Sequence, residues 1–214
     1  MQSRHVYFYL FIVVLIIIIG LGLHGFLSDK NRYQDNQVIT IKKTTTSGTP
    51  SIGGSFQLIN HNGDVVSDKS YTGQYLIVFF GYTFCPDVCP NTLAKFSTVM
   101  DQLGEYSSRV TPLFITVDPV RDTFQVMNDY ISNFHPRIEG LTGNEKQIEY
   151  IKKIYRVYGA KSKDNNGNLD DYIVDHSSLS YFMGTGGEYI DFFNYNMKPS
   201  RIVSKIKKII GTKK

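Results

Sequence analysis

The first hydrophobic feature of the chain is a long uncharged run close to its beginning. Residues 6–23 carry no charged side chain, and the apolar pattern continues past His24 to residue 27. As a helix, the 22 residues of this segment would span about 33 Å, which matches the roughly 30 Å hydrocarbon core of a bilayer. A cleaved signal peptide is the alternative, but its apolar region is usually shorter, about 7 to 15 residues. We therefore predict a transmembrane anchor at residues 6–27, after a short tail at residues 1–5.

Polar residues separate this anchor from a domain-like pattern. Residues 28–52 show no sustained helical or strand period, and we interpret them as a tether. The roughly 160 residues that follow are enough to bury a core, so they predict one domain at residues 53–214. Within it, apolar runs at 56–59 and 65–66 flank the turn cluster HNGD. This arrangement predicts an N-terminal β-hairpin.

The next segments predict a parallel crossover. Residues 75–80 (YLIVFF) are continuously apolar, β-branched and aromatic, which is typical of a strand buried on both faces. A helix is predicted over residues 90–103, with Pro90 in its first turn and apolar residues at helical spacing. Residues 110–117 (VTPLFITV) predict a second strand. Strand, helix and strand in this order favour a right-handed parallel connection.

Two more helices are predicted at residues 123–134 and 144–158. Runs at 179–183 and 189–193 bracket a glycine-rich turn, GTGG, which indicates an antiparallel hairpin. A phosphate-binding loop is disfavoured because no Lys-Ser/Thr pair and no helix follow these glycines. A short basic amphipathic helix is predicted at residues 202–210. The element order predicts an α/β, thioredoxin-like fold with an N-terminal β-hairpin and a helical insertion, preceded by one transmembrane helix.

Composition narrows the functional classes. The chain of 214 residues is 42% hydrophobic and 20% charged, with a formal net charge of +4. It is too apolar for general disorder, and the charge is too small for a dedicated nucleic-acid binder. Only two cysteines occur, and they lie four positions apart. A disulfide scaffold is therefore excluded, and the cysteines have to matter chemically if they matter at all.

Cys85 and Cys89 lie in the sequence GYTFCPDVCP, between the predicted central strand and its crossover helix. Open α/β sheets build their sites beyond the carboxyl ends of strands. The N-terminus of a helix favours the thiolate, the form that attacks disulfides and binds metals, so we expect reactive sulfurs there. Their three-residue spacer differs from that of thioredoxin-type motifs and allows both sulfurs to hold one ion. The alternative is a pair of buried cysteines acting as small apolar residues.

A third metal ligand is sought among the five histidines. His24 falls in the predicted anchor, His5 precedes it, His61 fits an exposed turn and His135 fits a helix end. His176 remains, in YIVDHSS just before the predicted strand at 179, where thioredoxins place a cis-proline. From spacing alone it is either a ligand or a hydrogen-bonded loop histidine. Two cysteines and a histidine suit Cu(I) and also tolerate Cu(II), whereas zinc would need a fourth ligand.

These residues resemble a known family. GYTFCPDVCP, FITVDP with the following RDT, GLTG, YRVY and YIVDHS occur in this order, and together they are similar to the Sco/SenC family of membrane-anchored, thioredoxin-like copper chaperones. The resemblance covers about residues 53–193. It implies that Cys85, Cys89 and His176 are the copper ligands. Val120 stands where the family usually has an acidic residue, and residues 161–168 are less acidic than is usual. The second difference affects the choice of partner.

The resemblance also implies a function and a location. It implies delivery of copper to cytochrome c oxidase subunit II, or reduction of the cysteines of its copper centre, with another copper or redox client as an alternative. We expect a metallochaperone rather than an enzyme; the competing hypothesis is a thiol-disulfide oxidoreductase that uses Cys85 and Cys89. We expect a cytoplasmic tail at residues 1–5, a single-pass inner-membrane anchor and a periplasmic domain. A mitochondrial inner membrane with the domain in the intermembrane space is the alternative.

Overall fold

The computed structural model describes residues 52–162, 173–176 and 179–212, with backbone alone at residues 159–162, 173–176 and 212. The predicted anchor and all of the predicted tether except Ile52 lie outside these ranges. No helix within them has the length and apolar character needed to cross a bilayer.

The strands are numbered in chain order: β1 Gln57–Asn60, β2 Val65–Ser67, β3 Tyr75–Gly81, β4 Val110–Thr116, β5 Glu139–Thr142, β6 Gly159–Ser162, β7 Ile173–His176, β8 Ser180–Met183 and β9 Tyr189–Phe193. The α-helices are α1 Val88–Leu103, α2 Phe124–Ile131, α3 Glu145–Tyr155 and α4 Pro199–Thr212. Two short 3-10 helices occur at Asp68–Tyr71 and Gly104–Arg109.

In the part of the chain that the structure describes, seven strands form one sheet in the order β2-β1-β5-β4-β3-β8-β9. The β3–β4 and β4–β5 pairs are parallel, and the outer pairs are antiparallel. The predicted parallel connection is thus confirmed, because α1 connects the parallel strands β3 and β4. The carboxyl ends of β3, β4 and β5 consequently meet at one edge of the sheet.

The core lies around β3 and β4, in which every residue is buried. The continuous apolar sequence of β3 and the mostly apolar sequence of β4 suit a position covered on both faces. The predicted apolar face of α1 packs on this sheet; Phe96, for example, meets the Phe79 ring edge-on at 6.3 Å. Helix α4 lies against α1, where Lys207 Nζ donates a hydrogen bond to the Gln102 carbonyl at 3.1 Å.

Both predicted hairpins are present. In the β1–β2 turn the Asn60 side-chain oxygen accepts hydrogen bonds from the backbone N–H groups of Asn62 and Asp64, at 3.0 and 2.9 Å. Gly63 has a φ of 90°, a conformation that favours glycine. The glycine-rich turn between β8 and β9 closes through Gly187 N, which donates to the Gly184 carbonyl at 2.9 Å.

Strand β5 corrects the predicted element order, in which two helices follow each other directly. Its four residues, EGLT, include an acidic residue and a glycine and lack the β-branched run that marks β3. Gly140 is needed there because a Cβ would lie 2.3 Å from Cγ of Met127 on α2. Strand β5 joins the hairpin to the sheet by pairing with both β1 and β4.

Helix boundaries and the β6–β7 sheet supply the other corrections. Helix α2 ends at Ile131 rather than at residue 134. Helix α3 ends at Tyr155 rather than at residue 158, because Arg156 adopts a left-handed conformation with φ 54°. Strands β6 and β7 form a separate antiparallel pair in which Gly159 is opposite His176. His176 is therefore the last residue of a strand and not a loop residue.

Candidate metal centre

The two cysteines lie at the carboxyl end of β3, as predicted. Cys85 belongs to the turn that follows the strand, and its backbone N–H donates a hydrogen bond to the Tyr82 carbonyl at 3.2 Å. Cys89 is the second residue of α1. Cys85 is 8% exposed and Cys89 is fully buried, and both are free thiols. The two sulfurs are in hydrogen-bond contact with each other, so the structure brings the predicted pair together.

The surroundings of Cys89 act against the thiolate form that its place at a helix N-terminus favours. The hydrogen bond with Cys85, followed by burial, raises the pKa of the Cys89 thiol well above its ordinary value. A hydrogen bond with the Tyr82 backbone acts in the opposite direction but is weaker. Pairing and burial thus favour the protonated Cys89 thiol, whereas the helix N-terminus favours the thiolate. The proton on this sulfur has to be displaced before the sulfur can bind a metal.

A tight wall fixes the Cys89 sulfur on its inner side. A Cβ added at Gly81 would lie 2.5 Å from Cys89 Sγ and 2.6 Å from Cε2 of Phe114. Gly81 therefore leaves space that the sulfur and the Phe114 ring occupy together. Because both of these side chains are fully buried, the sulfur has little freedom to move.

A buried carboxylate holds the turn that carries Cys85. Asp122 Oδ2 accepts hydrogen bonds from Thr83 N at 3.1 Å and Thr116 Oγ1 at 2.6 Å, and its Oδ1 accepts one from Thr83 Oγ1 at 2.6 Å. The Asp122 carbonyl accepts a further bond from Thr142 Oγ1 at 2.6 Å. Asp122 thereby connects the cysteine turn to the ends of β4 and β5. Sequence reasoning missed this role because Thr83 and Thr142 are 39 and 20 positions from Asp122 along the chain.

A cationic side chain covers the outer side of the same turn. Arg121 pairs with the buried Asp118 carboxylate. Its guanidinium also lies 5.6 Å from the centre of the Tyr82 ring and 4.8 Å from that of Phe84. Phe84 is nevertheless 60% exposed. The site therefore has an apolar, solvent-facing rim next to Cys85.

The structure describes the side chains of only two of the five histidines, His61 and His135. His61 is not simply exposed: it is half-buried, and its Nδ1 accepts a hydrogen bond from Gly140 N at 3.2 Å. His135 lies beyond the end of α2, and its Nδ1 accepts from Arg137 N at 3.1 Å. The His176 side chain lies outside the described part, as do His5 and His24. Among the described side chains, no group of three or more His, Cys, Asp or Glu forms a metal cluster, and the role of His176 stays a prediction.

Comparison with known proteins identifies the family. A sequence model described as SCO1/SenC matches residues 44–211. The chain belongs to the SCO1/SenC family. The resemblance drawn from GYTFCPDVCP and YIVDHS is thus confirmed.

Relatives with solved structures or curated descriptions agree with this assignment. The mitochondrial SCO1 homolog of Homo sapiens is 40% identical over 164 residues, which cover 74% of this chain and 53% of that protein. The chain therefore spans about half the length of this curated relative. The copper-bound ScoI of Bradyrhizobium japonicum is 41% identical with a TM-score of 0.68, covering 73% of this chain and 98% of that chain.

A second solved structure, BsSco, is 25% identical with a TM-score of 0.58 and covers 75% of this chain and 94% of that chain. It is described as having a disulfide switch and as a member of the Sco family of cytochrome c oxidase assembly proteins. The mixed α/β fold, a central sheet with helices around it, matches these thioredoxin-like Sco structures.

Proposed function

We propose that this protein is a copper chaperone that binds one copper ion through Cys85, Cys89 and His176 and serves cytochrome c oxidase assembly. The observation that carries the proposal is the pair of buried, contacting thiols at the carboxyl end of β3. Thiolates are soft ligands that suit Cu(I), and an imidazole allows the same site to accept Cu(II). The copper-bound ScoI relative and the description of BsSco support the proposal.

The surroundings of the pair fit the role of holding copper. The wall formed by Gly81 and Phe114 keeps the Cys89 sulfur in place, and Asp122 holds the Cys85 turn through Thr83. A pre-positioned sulfur pair loses little conformational entropy when the ion binds. Burial of both sulfurs keeps water away from the metal.

Release requires access from outside, and the two sulfurs differ in this respect. Cys89 is fully buried, whereas Cys85 retains 8% exposure and lies beside the exposed Phe84 ring. We therefore propose that a ligand of the client approaches copper from the Cys85 side and that the ion passes on by ligand exchange. The proposed client is the copper centre of cytochrome c oxidase subunit II, with another copper or redox client as the alternative.

A thiol-disulfide oxidoreductase is the second candidate function. The contact between the two thiols favours it, because a sulfur pair that already touches can close a disulfide without a large rearrangement. In this reaction the two thiols give up two electrons and two protons to become a disulfide, and a client disulfide takes them up to become two thiols. The disulfide switch described for BsSco supports this candidate.

The His176→Ala variant separates the two functions. A chaperone that uses the imidazole should lose stable copper binding, whereas a pure dithiol reductase should keep its rate of reducing a client disulfide. His135→Ala is the matched control, because His135 bonds to Arg137 N and lies 3.7 Å from Asp101, near the end of α1 opposite to Cys89. Full copper affinity in His176→Ala would contradict the ligand assignment.

The domain organisation and location are part of the same proposal. Residues 1–5 form a cytoplasmic tail, 6–27 an inner-membrane anchor, 28–52 a tether and 53–214 the copper-binding domain, which faces the periplasm. The mitochondrial name of the human relative is consistent with the alternative, a mitochondrial inner membrane. Release from membranes by detergent but not by alkaline carbonate would support the anchor, and release by carbonate would contradict it.

A further inference from the structure

Tyr130 on α2 has a buried hydroxyl group with no hydrogen-bond partner. Its ring packs against Phe114 at a centroid distance of 5.7 Å and against Phe134 at 5.5 Å. The oxygen is shielded from solvent, and no donor or acceptor reaches it in the described part of the chain. Buried polar atoms are nearly always hydrogen-bonded, so an unpartnered hydroxyl calls for an explanation.

The place of this hydroxyl in the fold is next to the sulfur pair. Phe114, which packs against the Tyr130 ring, shares the space beside Gly81 with Cys89 Sγ. A surface cavity connects the same tyrosine to the cysteine turn, since Thr83 and Phe84 line it together with Tyr130. Tyr130 therefore borders the candidate metal centre from the side of α2.

The electrostatic surroundings lead to the same location. Burial, and then the nearby Cys89 and Cys85 sulfurs, raise the pKa of Tyr130 above its ordinary value. Asp122 adds a smaller effect of the same sign. At neutral pH the side chain is thus a neutral hydroxyl, which can donate one hydrogen bond.

We propose that Tyr130 is a positioning residue whose hydroxyl donates a hydrogen bond to the Cys89 sulfur when that sulfur is a copper-bound thiolate. This inference rests on the proposed copper-binding function. The Tyr130 oxygen has no partner within hydrogen-bond distance and the Cys89 sulfur is held by its wall, so the bond forms by a shift of the Tyr130 side chain toward the sulfur. A thiolate carries negative charge and accepts stronger, charge-assisted bonds, and such outer contacts orient a ligand and tune the metal.

The Tyr130→Phe variant tests the inference because it removes the hydroxyl and keeps the ring. Measured on the full chain in detergent, its Cu(I) affinity should fall roughly ten-fold, the effect of losing one hydrogen bond to a charged group. The sulfur-to-copper charge-transfer band of the Cu(II) form should move to lower energy, because the thiolate electrons are no longer stabilised. The urea midpoint of the reduced, metal-free protein should stay the same or rise, since an unpartnered buried hydroxyl is lost.

Tyr71→Phe is the matched control and should show the opposite pattern. The Tyr71 hydroxyl donates to Glu139 Oε2 at 2.8 Å, so its removal should lower the urea midpoint and leave copper affinity and the charge-transfer band unchanged. Wild-type affinity and an unshifted band in Tyr130→Phe would overturn the inference while leaving the proposed function intact. A lowered midpoint in that variant would also overturn it, because the hydroxyl would then support the metal-free fold. Absence of copper binding in the wild type would instead overturn both proposals.

Discussion

Gly81, the last residue of β3, is the position where the packing of the core and the geometry of the sulfur pair depend on the same atoms. In Gly81→Ala the new methyl group would lie 2.5 Å from Cys89 Sγ and 2.6 Å from Phe114 Cε2, whereas ordinary contacts begin at 3.4 Å. Each contact is therefore too short by nearly an ångström. Both neighbours are fully buried, so neither can retreat toward solvent.

The size of the effect follows from this geometry. Overpacking a dense core costs about 1–3 kcal/mol, and two rigid neighbours place this site in the upper half of that range, near 2 kcal/mol. With a urea dependence of about 2 kcal/mol per molar, the midpoint of unfolding should fall by about 1 M. Copper affinity should fall as well, because relief of the overlap displaces the Cys89 sulfur from its position in the pair.

Urea unfolding of the reduced full chain measures the first effect, and competition with a Cu(I) chelator measures the second. Gly211→Ala is the control: Gly211 lies in α4, and nothing lies within 4 Å of an added Cβ. Alanine should be neutral or stabilising there, by up to about 1 kcal/mol. If Gly81→Ala were as stable as the wild type, the tight wall beside Cys89 would not exist and the reasoning would be refuted.

Two further predictions concern the elements that support the site. Burial raises the pKa of Asp122 above its ordinary value of 3.8, against the lowering effect of the hydrogen bonds from Thr116 and Thr83. The native state therefore binds a proton on the Asp122 carboxyl more tightly than the unfolded state does. The stability that this proton contributes is fully present below the pKa of the unfolded state and is lost as the pH rises through the pKa of the native state. The difference in free energy of unfolding between the wild type and Asp122→Asn should therefore decrease from acidic to neutral pH. A difference that stays constant or increases would be evidence against the raised pKa of Asp122. Thr123 Oγ1 accepts from Val126 N at 3.3 Å as the N-cap of α2, so Thr123→Ala should lose about 1 kcal/mol in urea unfolding and Thr123→Ser should not; equal losses in both would argue against the cap.

The parts of the fold that the sequence predicts well are those whose signal is local. Strand β3 is a continuous apolar run and β4 is mostly apolar, because both faces of each strand are covered. Asn60 and Gly63 predict the β1–β2 hairpin. The Asn60 side chain accepts a hydrogen bond from the turn backbone, and Gly63 adopts a positive φ. Strand β5 has no such local signal. Its Gly140 is required by a tertiary contact, the close approach of Met127 from α2.

The candidate site shows the same division. The cysteine pair is predictable because its place after a buried strand follows from the chain itself. The protonation of Cys89 cannot be predicted in the same way. The helix N-terminus is visible in the sequence, whereas the contact with Cys85 and the burial are tertiary effects. Asp122 and Tyr130 were missed for a related reason: what matters is the partner that each one meets, or fails to meet, across the fold.

Copper stoichiometry of the full chain, prepared once with reduced thiols and once with the Cys85–Cys89 disulfide, tests the central claim most directly. Equilibrium dialysis against Cu(I) and metal analysis give the bound ratio, and the double variant Cys85→Ser, Cys89→Ser provides the baseline. The account predicts one tightly held copper per chain in the reduced protein, and none in the oxidised protein or the double variant. A reduced protein that holds no copper, or a double variant that holds as much as the wild type, would contradict it.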